Sequence, residues 1–86
     1  MTQSTSLGDQ NGPAIRALRK RSGLSVRDLC DLLEEQEGLK VHPNHIRNVE
    51  TNARGASEGL IASTARVLKV PTVAILAAPA AVGANA

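Results

Sequence analysis

Residues 25–52 read SVRDLCDLLEEQEGLKVHPNHIRNVETN, and they decide the fold. Ser25 with Asp28 three residues on is a capping-box signature, in which each residue satisfies a backbone amide of the other. Val26, Leu29, Cys30 and Leu33 recur at i, i+3, i+4 and i+7, the apolar stripe of a helix, with Leu32 beside it. Gly38 ends this helix. A shorter helix follows, with His42 at its N-cap and Pro43 at its first position. Ile46 and Val49 form its narrow apolar edge, and Asn52 suits a left-handed C-cap. Asn44, His45, Arg47 and Asn48 lie off that edge.

Upstream, PAIRALRKRSG (13–23) reads as a helix with Pro13 at its first position and Gly23 just past its end. Ile15 and Leu18 make its apolar edge, while Arg16, Arg19, Lys20 and Arg21 crowd its last two turns. Downstream, a fourth helix starts after Ser57. Ile61, Thr64, Ala65 and Leu68 form its inner stripe, with Leu60 and Val67 alongside. Pro71 breaks the pattern. Thr72 then caps a last short helix carrying Val73, Ile75 and Leu76, which Pro79 stops. The expected architecture is all-α, five helices in one domain over 12–78. Residues 1–11, MTQSTSLGDQN, read as a flexible N-terminal arm and 79–86 as a disordered tail.

Composition narrows the function. The chain has 86 residues and a mass of 9.0 kDa, enough for one domain with a small core. It contains no Phe, Tyr or Trp, which removes base stacking on aromatic rings. A single cysteine excludes an internal disulfide and Cys-rich zinc frameworks. No apolar run reaches the ~18 residues of a membrane span. Met1 to Gln10 is polar and lacks the regions of a signal peptide, so a cytoplasmic protein is expected. There is no Gly-rich phosphate loop and no triad pattern. Neither an enzyme nor a cofactor is expected.

Charge is uneven. Asp28, Asp31, Glu34, Glu35 and Glu37 place five of the eight acids within 28–37, a stretch without Lys or Arg. The rest of the chain carries ten bases against three acids. This describes either a basic face for an anionic partner or a solvated surface with local ion pairs.

A short helix, exposed on one side and braced by a crossing helix, fits the major groove of B-DNA, where each base pair shows a distinct donor and acceptor pattern. The third segment meets that description. Asn can bond adenine, and Arg guanine, in a bidentate manner. The stretches IRALRKRSGLSVRDLCDLL, VHPNHIRNVETNARGAS and LIASTARVLKVPTVAIL together resemble the phage-repressor (Cro-like, XRE-type) helix-turn-helix family over about 13–77. The resemblance implies a lambda-repressor-like domain that binds double-stranded DNA in sequence-specific fashion and regulates transcription, as a homodimer on two half-sites. It places Pro43, Asn44, Arg47 and Asn48 toward bases. It places Arg54, Ser25 and the first amides of helix two near phosphates. Of the basic run Arg19, Lys20 and Arg21, one member is expected to be ion-paired and the others near phosphate; the alternative is a run that simply solvates the helix end. It also pairs a late base of helix one, here Arg19, with an acid ending the recognition helix, here Glu50. Glu50 is the only acid of that helix and lies at its negative dipole end, so a bidentate Arg partner compensates it; the alternative is an exposed Glu50.

Three departures from the family matter. Pro43 cannot donate to a base. Val26 stands where relatives often carry a phosphate-binding Gln. Seven residues, EEQEGLK, separate Leu33 from Val41 where the family usually has one, so helix two should be longer and the turn wider.

Other readings stay open. The apolar segment Val73, Ile75 and Leu76 is either a dimer surface or the closure of the monomer's core. The acidic segment 28–37 is either a solvated helix end or a surface for a protein partner, as in an antitoxin-like or anti-regulator subunit. Cys30 reads as a buried inert thiol where helix two presses on helix three. His42 and His45 could join Cys30 or Glu50 around zinc, but a cap role for His42 and an exposed role for His45 fit the motif better.

Overall fold

The computed structural model describes residues 10–76. They form four α-helices and one 3-10 turn: α1 (Gly12–Arg21), α2 (Val26–Glu37), α3 (Pro43–Glu50), α4 (Glu58–Leu68) and the turn Thr72–Ile75. Among the described residues there is no strand. A single antiparallel bridge joins Gln10 to Leu76.

Local chemistry sets the boundaries. At α2, Ser25 Oγ accepts from Asp28 N at 3.0 Å, and Asp28 Oδ2 accepts from Ser25 N at 2.9 Å. This is the capping box its sequence announces. Ser57 caps α4 by accepting from Leu60 N. His42 caps α3 through Nδ1, which accepts from Asn44 N at 3.0 Å. Gly23, Gly38 and Asn52 take left-handed backbones just beyond α1, α2 and α3. After α1, Gly23 N bonds Lys20 O and Leu24 N bonds Arg19 O, a Schellman ending.

The packing makes a closed ring. α1 lies on α3, α3 on α2, α2 on α4, α4 on the 3-10 turn, and the turn on α1. The core is wholly aliphatic apart from Cys30. Leu29 and Leu33 of α2, Ile46 of α3 and Ile75 of the turn are its deepest side chains. Ile15, Val49, Leu60, Ile61, Ala65, Val67 and Leu68 surround them.

Several expectations need correction. The helix expected after Pro71 is a single 3-10 turn, with Pro71 rather than Thr72 at its cap position and no side-chain cap bond. So short a segment cannot meet the cost of nucleating an α-helix. It is held instead by the burial of Ile75. α1 begins one residue early, at Gly12, with Asn11 Oδ1 accepting from Ala14 N. The described residues reach back to Gln10, which is buried. Gln10 and Asn11 therefore belong to the domain and not to the arm assigned to 1–11. The arm's residues 1–9 and the tail 79–86 lie outside the described residues. The extra length between Leu33 and Val41 divides in two. Residues 34–37 extend α2, and Leu39 and Val41 pack against the core from the link to α3.

Candidate nucleic-acid interface

α3 divides its residues sharply. Ile46, Val49 and Glu50 are buried; Asn44, Arg47, Asn48 and Thr51 are exposed. The exposed set falls at i, i+3, i+4 and i+7, one face of a helix. Arg47 Nη1 donates to Asn44 Oδ1 at 2.9 Å, so two members of the face hold each other in place. Thr51 Oγ1 donates to the carbonyls of Arg47 and Asn48, each at 3.2 Å. Thr51 joins this face although the sequence reading did not include it. Its signal was available: one more helical turn beyond Arg47 and Asn48. Pro43 is half-buried at the edge of the face. His45, expected to be exposed, is half-buried.

The side of α3 away from this face is fixed to α1. Arg19 Nε donates to Glu50 Oε2 at 2.7 Å and Nη2 to Oε1 at 3.0 Å. The two side chains retain only 8% and 4% of their exposure. The Glu50 hydrogen bond raises Arg19's pKa further above its ordinary value against the opposing effect of burial. Arg19 Nη1 donates to Leu24 O. Arg19 is thereby the ion-paired member of the basic run, its donors committed inside the protein.

Two residues that the sequence reading missed tie the start of the domain to the end of α3 and the loop after it. Gly12 sits directly on the end of α3. A Cβ there would lie 2.5 Å from Val49 O and closer still to Glu50 O. Gly12 N donates to Asn52 Oδ1 at 3.0 Å, which joins the N-terminus of α1 to the left-handed residue that follows the Thr51 C-cap of α3. Gln10 inserts its amide under the loop after α3. Nε2 donates to Val49 O and to Arg54 O at 2.7 Å, and Oε1 accepts from Ala56 N at 3.3 Å. Arg54 itself is exposed on that loop. Nothing local in a polar stretch marks Gln10, since its partners lie about forty residues on.

A groove of about 850 Å³ opens between α1 and α3 and ends at the start of α2. Pro13, Arg16, Ala17 and Lys20 line it from α1, Val26 from α2, Arg47 from α3 and Thr51 from the C-cap of α3, with the Arg19–Glu50 pair also on its wall. Arg21, exposed, does not line it. At the start of α2, Ser25 is already engaged with Asp28, whose carboxyl is held below its ordinary pKa by the Ser25 amide. The first-turn amides of Val26 and Arg27 have no intrahelical acceptor.

The acidic segment is partly consumed inside the fold. Glu37 accepts from Arg66 Nε at 2.9 Å, and Arg66 holds the Glu37 carboxyl below its ordinary pKa. Glu34 lies 3.8 Å from Lys40, both exposed. Asp31, Glu34 and Glu35 remain on the surface of α2. Cys30 is buried, and burial pushes its thiol pKa up. Among the described residues no three His, Cys, Asp or Glu side chains come together as metal ligands. No described helix is long and apolar enough to cross a membrane.

No protein-family model, no curated protein and no solved structure matches this chain.

Proposed function

We propose that this domain binds double-stranded DNA in a sequence-specific manner, with α3 in the major groove, and that it regulates transcription as a cytoplasmic protein that performs no enzymatic chemistry. The observation that carries the reading is the division of α3: its apolar side locks into the core while Asn44, Arg47, Asn48 and Thr51 form one exposed polar face. Asn and Arg are the side chains that read adenine and guanine edges in the major groove. α2 crosses behind α3 as the bracing helix of a helix-turn-helix, a five-residue link replacing the tight turn of the phage-repressor family. Pro43 adds shape at the edge of the reading face. Lys20, Arg21, Arg54 and the open amides starting α2 serve the phosphates. Pairing of two copies on adjacent half-sites completes the assembly. Ile75 is fully buried and Leu76 half-buried, so of the expected apolar dimer patch Val73, 69% exposed, is the residue left to serve it.

The test is selection of bound fragments from random duplexes, followed by a gel shift on the enriched site. Enrichment of one site, with binding that weakens as salt rises, supports the reading. Failure to enrich any sequence sinks it. A second reading, a subunit that binds another protein, draws on the exposed acids Asp31, Glu34 and Glu35 of α2. A stable protein partner without duplex binding would favour it.

A further inference from the structure

The groove between α1 and α3 has a charge that the reading face alone does not require. Arg19 and Glu50 cancel each other within it. Arg16, Lys20 and Arg47 line it, and among the described residues none of the three has a carboxylate within salt-bridge distance. Arg16 and Lys20 stand one helical turn apart on α1, so their side chains follow the same edge. Pro13, Ala17 and Val26 supply apolar wall between the cations. Alternating cationic and apolar contacts suit a phosphodiester chain, whose charged phosphates are separated by sugar carbon. A groove of about 850 Å³ is far larger than a lone phosphate needs. Arg47 and Thr51 belong both to the groove and to the exposed face of α3, so one bound strand can pass continuously from one to the other.

Building on the duplex-binding reading, we propose that this groove seats the sugar–phosphate backbone of one DNA strand, with Arg16 and Lys20 of α1 as paired phosphate anchors and Arg47 at the junction between backbone and base contacts. Arg16 is the new assignment. It lies three residues from Arg19 in the same basic run, yet it faces the groove with its charge uncompensated among the described residues. Contacts of this kind fix register and carry no sequence information directly. They act on affinity and salt dependence, and leave the choice of site to α3.

The experiment uses the full chain and the duplex enriched by selection, with binding measured across a salt series. Arg16→Ala and Lys20→Ala should each weaken binding to enriched and scrambled duplexes by the same factor. Each should also make the log–log salt slope shallower by about 0.9. Arg16→Lys should restore most of both. Lys69→Gln, a charge-matched change beyond α4, should alter neither. Circular dichroism confirms that each variant is folded. If both alanine variants keep the wild-type slope and affinity, the groove assignment is overturned while duplex binding stands. If Arg16→Ala changes site preference instead, Arg16 reads bases and the backbone assignment is wrong. If wild type binds no duplex but inorganic pyrophosphate shifts groove resonances, the groove is a small-anion site, and both this proposal and the duplex reading fall.

Discussion

Arg19 and Glu50 form a buried, bidentate ion pair between α1 and α3, with Nε–Oε2 at 2.7 Å and Nη2–Oε1 at 3.0 Å. The pair ties the exposed helix to the rest of the domain. Removing one partner strands a buried charge, which costs about 3–5 kcal/mol. Arg19→Met and Glu50→Gln should therefore each destabilise strongly, and the double variant should recover part of the loss. Urea unfolding of the four proteins measures the coupling; additive single effects would mean that the pair contributes nothing as a pair.

Gly12 is irreplaceable for a different reason. Alanine would gain helix propensity, up to ~1 kcal/mol. Its Cβ would overlap the backbone carbonyls of Val49 and Glu50, which cannot rotate away as a side chain can. Overpacking of this kind costs about 1–3 kcal/mol. Gly12→Ala should be net destabilising in thermal unfolding. A raised melting temperature would mean that α1 and α3 do not approach so closely.

Gln10→Ala leaves Arg54 O and Ala56 N without their side-chain partner, while Val49 O keeps its bond from the Asn52 amide. Each unsatisfied group costs about 1–3 kcal/mol where water cannot replace the bond. The variant should melt lower, and the Ala56 amide should exchange with solvent much faster than in wild type. Unchanged exchange at Ala56 would show that Gln10 does not hold the loop.

On the selected duplex, Asn48→Ala and Arg47→Ala should lose discrimination against single-base changes by about 1–3 kcal/mol. Asn48→Ala should leave non-specific binding nearly intact. Arg47→Ala should weaken that as well, because Arg47 also lines the groove. Wild-type specificity in both variants would exclude α3 as the reading helix.

Acid should loosen the fold through two carboxylates. Asp28 is held below its ordinary pKa by the Ser25 amide, and Glu37 by Arg66. A carboxyl lowered in the folded state stabilises above its unfolded pKa, and that contribution fades as pH falls through the lowered folded value. Melting temperature should fall as pH is taken below the ordinary carboxylate range. Asp28→Asn with Glu37→Gln should flatten that decline. Equal pH slopes in wild type and the double variant would remove these two groups as the cause.

The sequence by itself determined the four α-helices, because their signals are local. The Ser25–Asp28 box, the stops at Gly23, Gly38 and Asn52, the cap at Ser57 and the apolar stripes all act within a few residues. The exposed face of α3 was equally legible, since Ile46 and Val49 fix which side turns inward. The Arg19–Glu50 pair was expected partly from the family resemblance and partly from the lone acid at a helix end. Only the tertiary structure decided the rest. Gln10 looked like part of a polar arm until its amide met groups about forty residues away. Gly12 mattered once the end of α3 lay against it. The segment after Pro71 was too short to be a helix on its own terms, and the core took Ile75 and left Val73 outside. Within one basic run, Arg19 turned to a buried carboxylate while Arg16 and Lys20 turned to an open groove. Sequence gives each of these side chains the same charge and nearly the same neighbours. What separates them is the direction each leaves the helix, which has meaning only once a second helix is packed beside it.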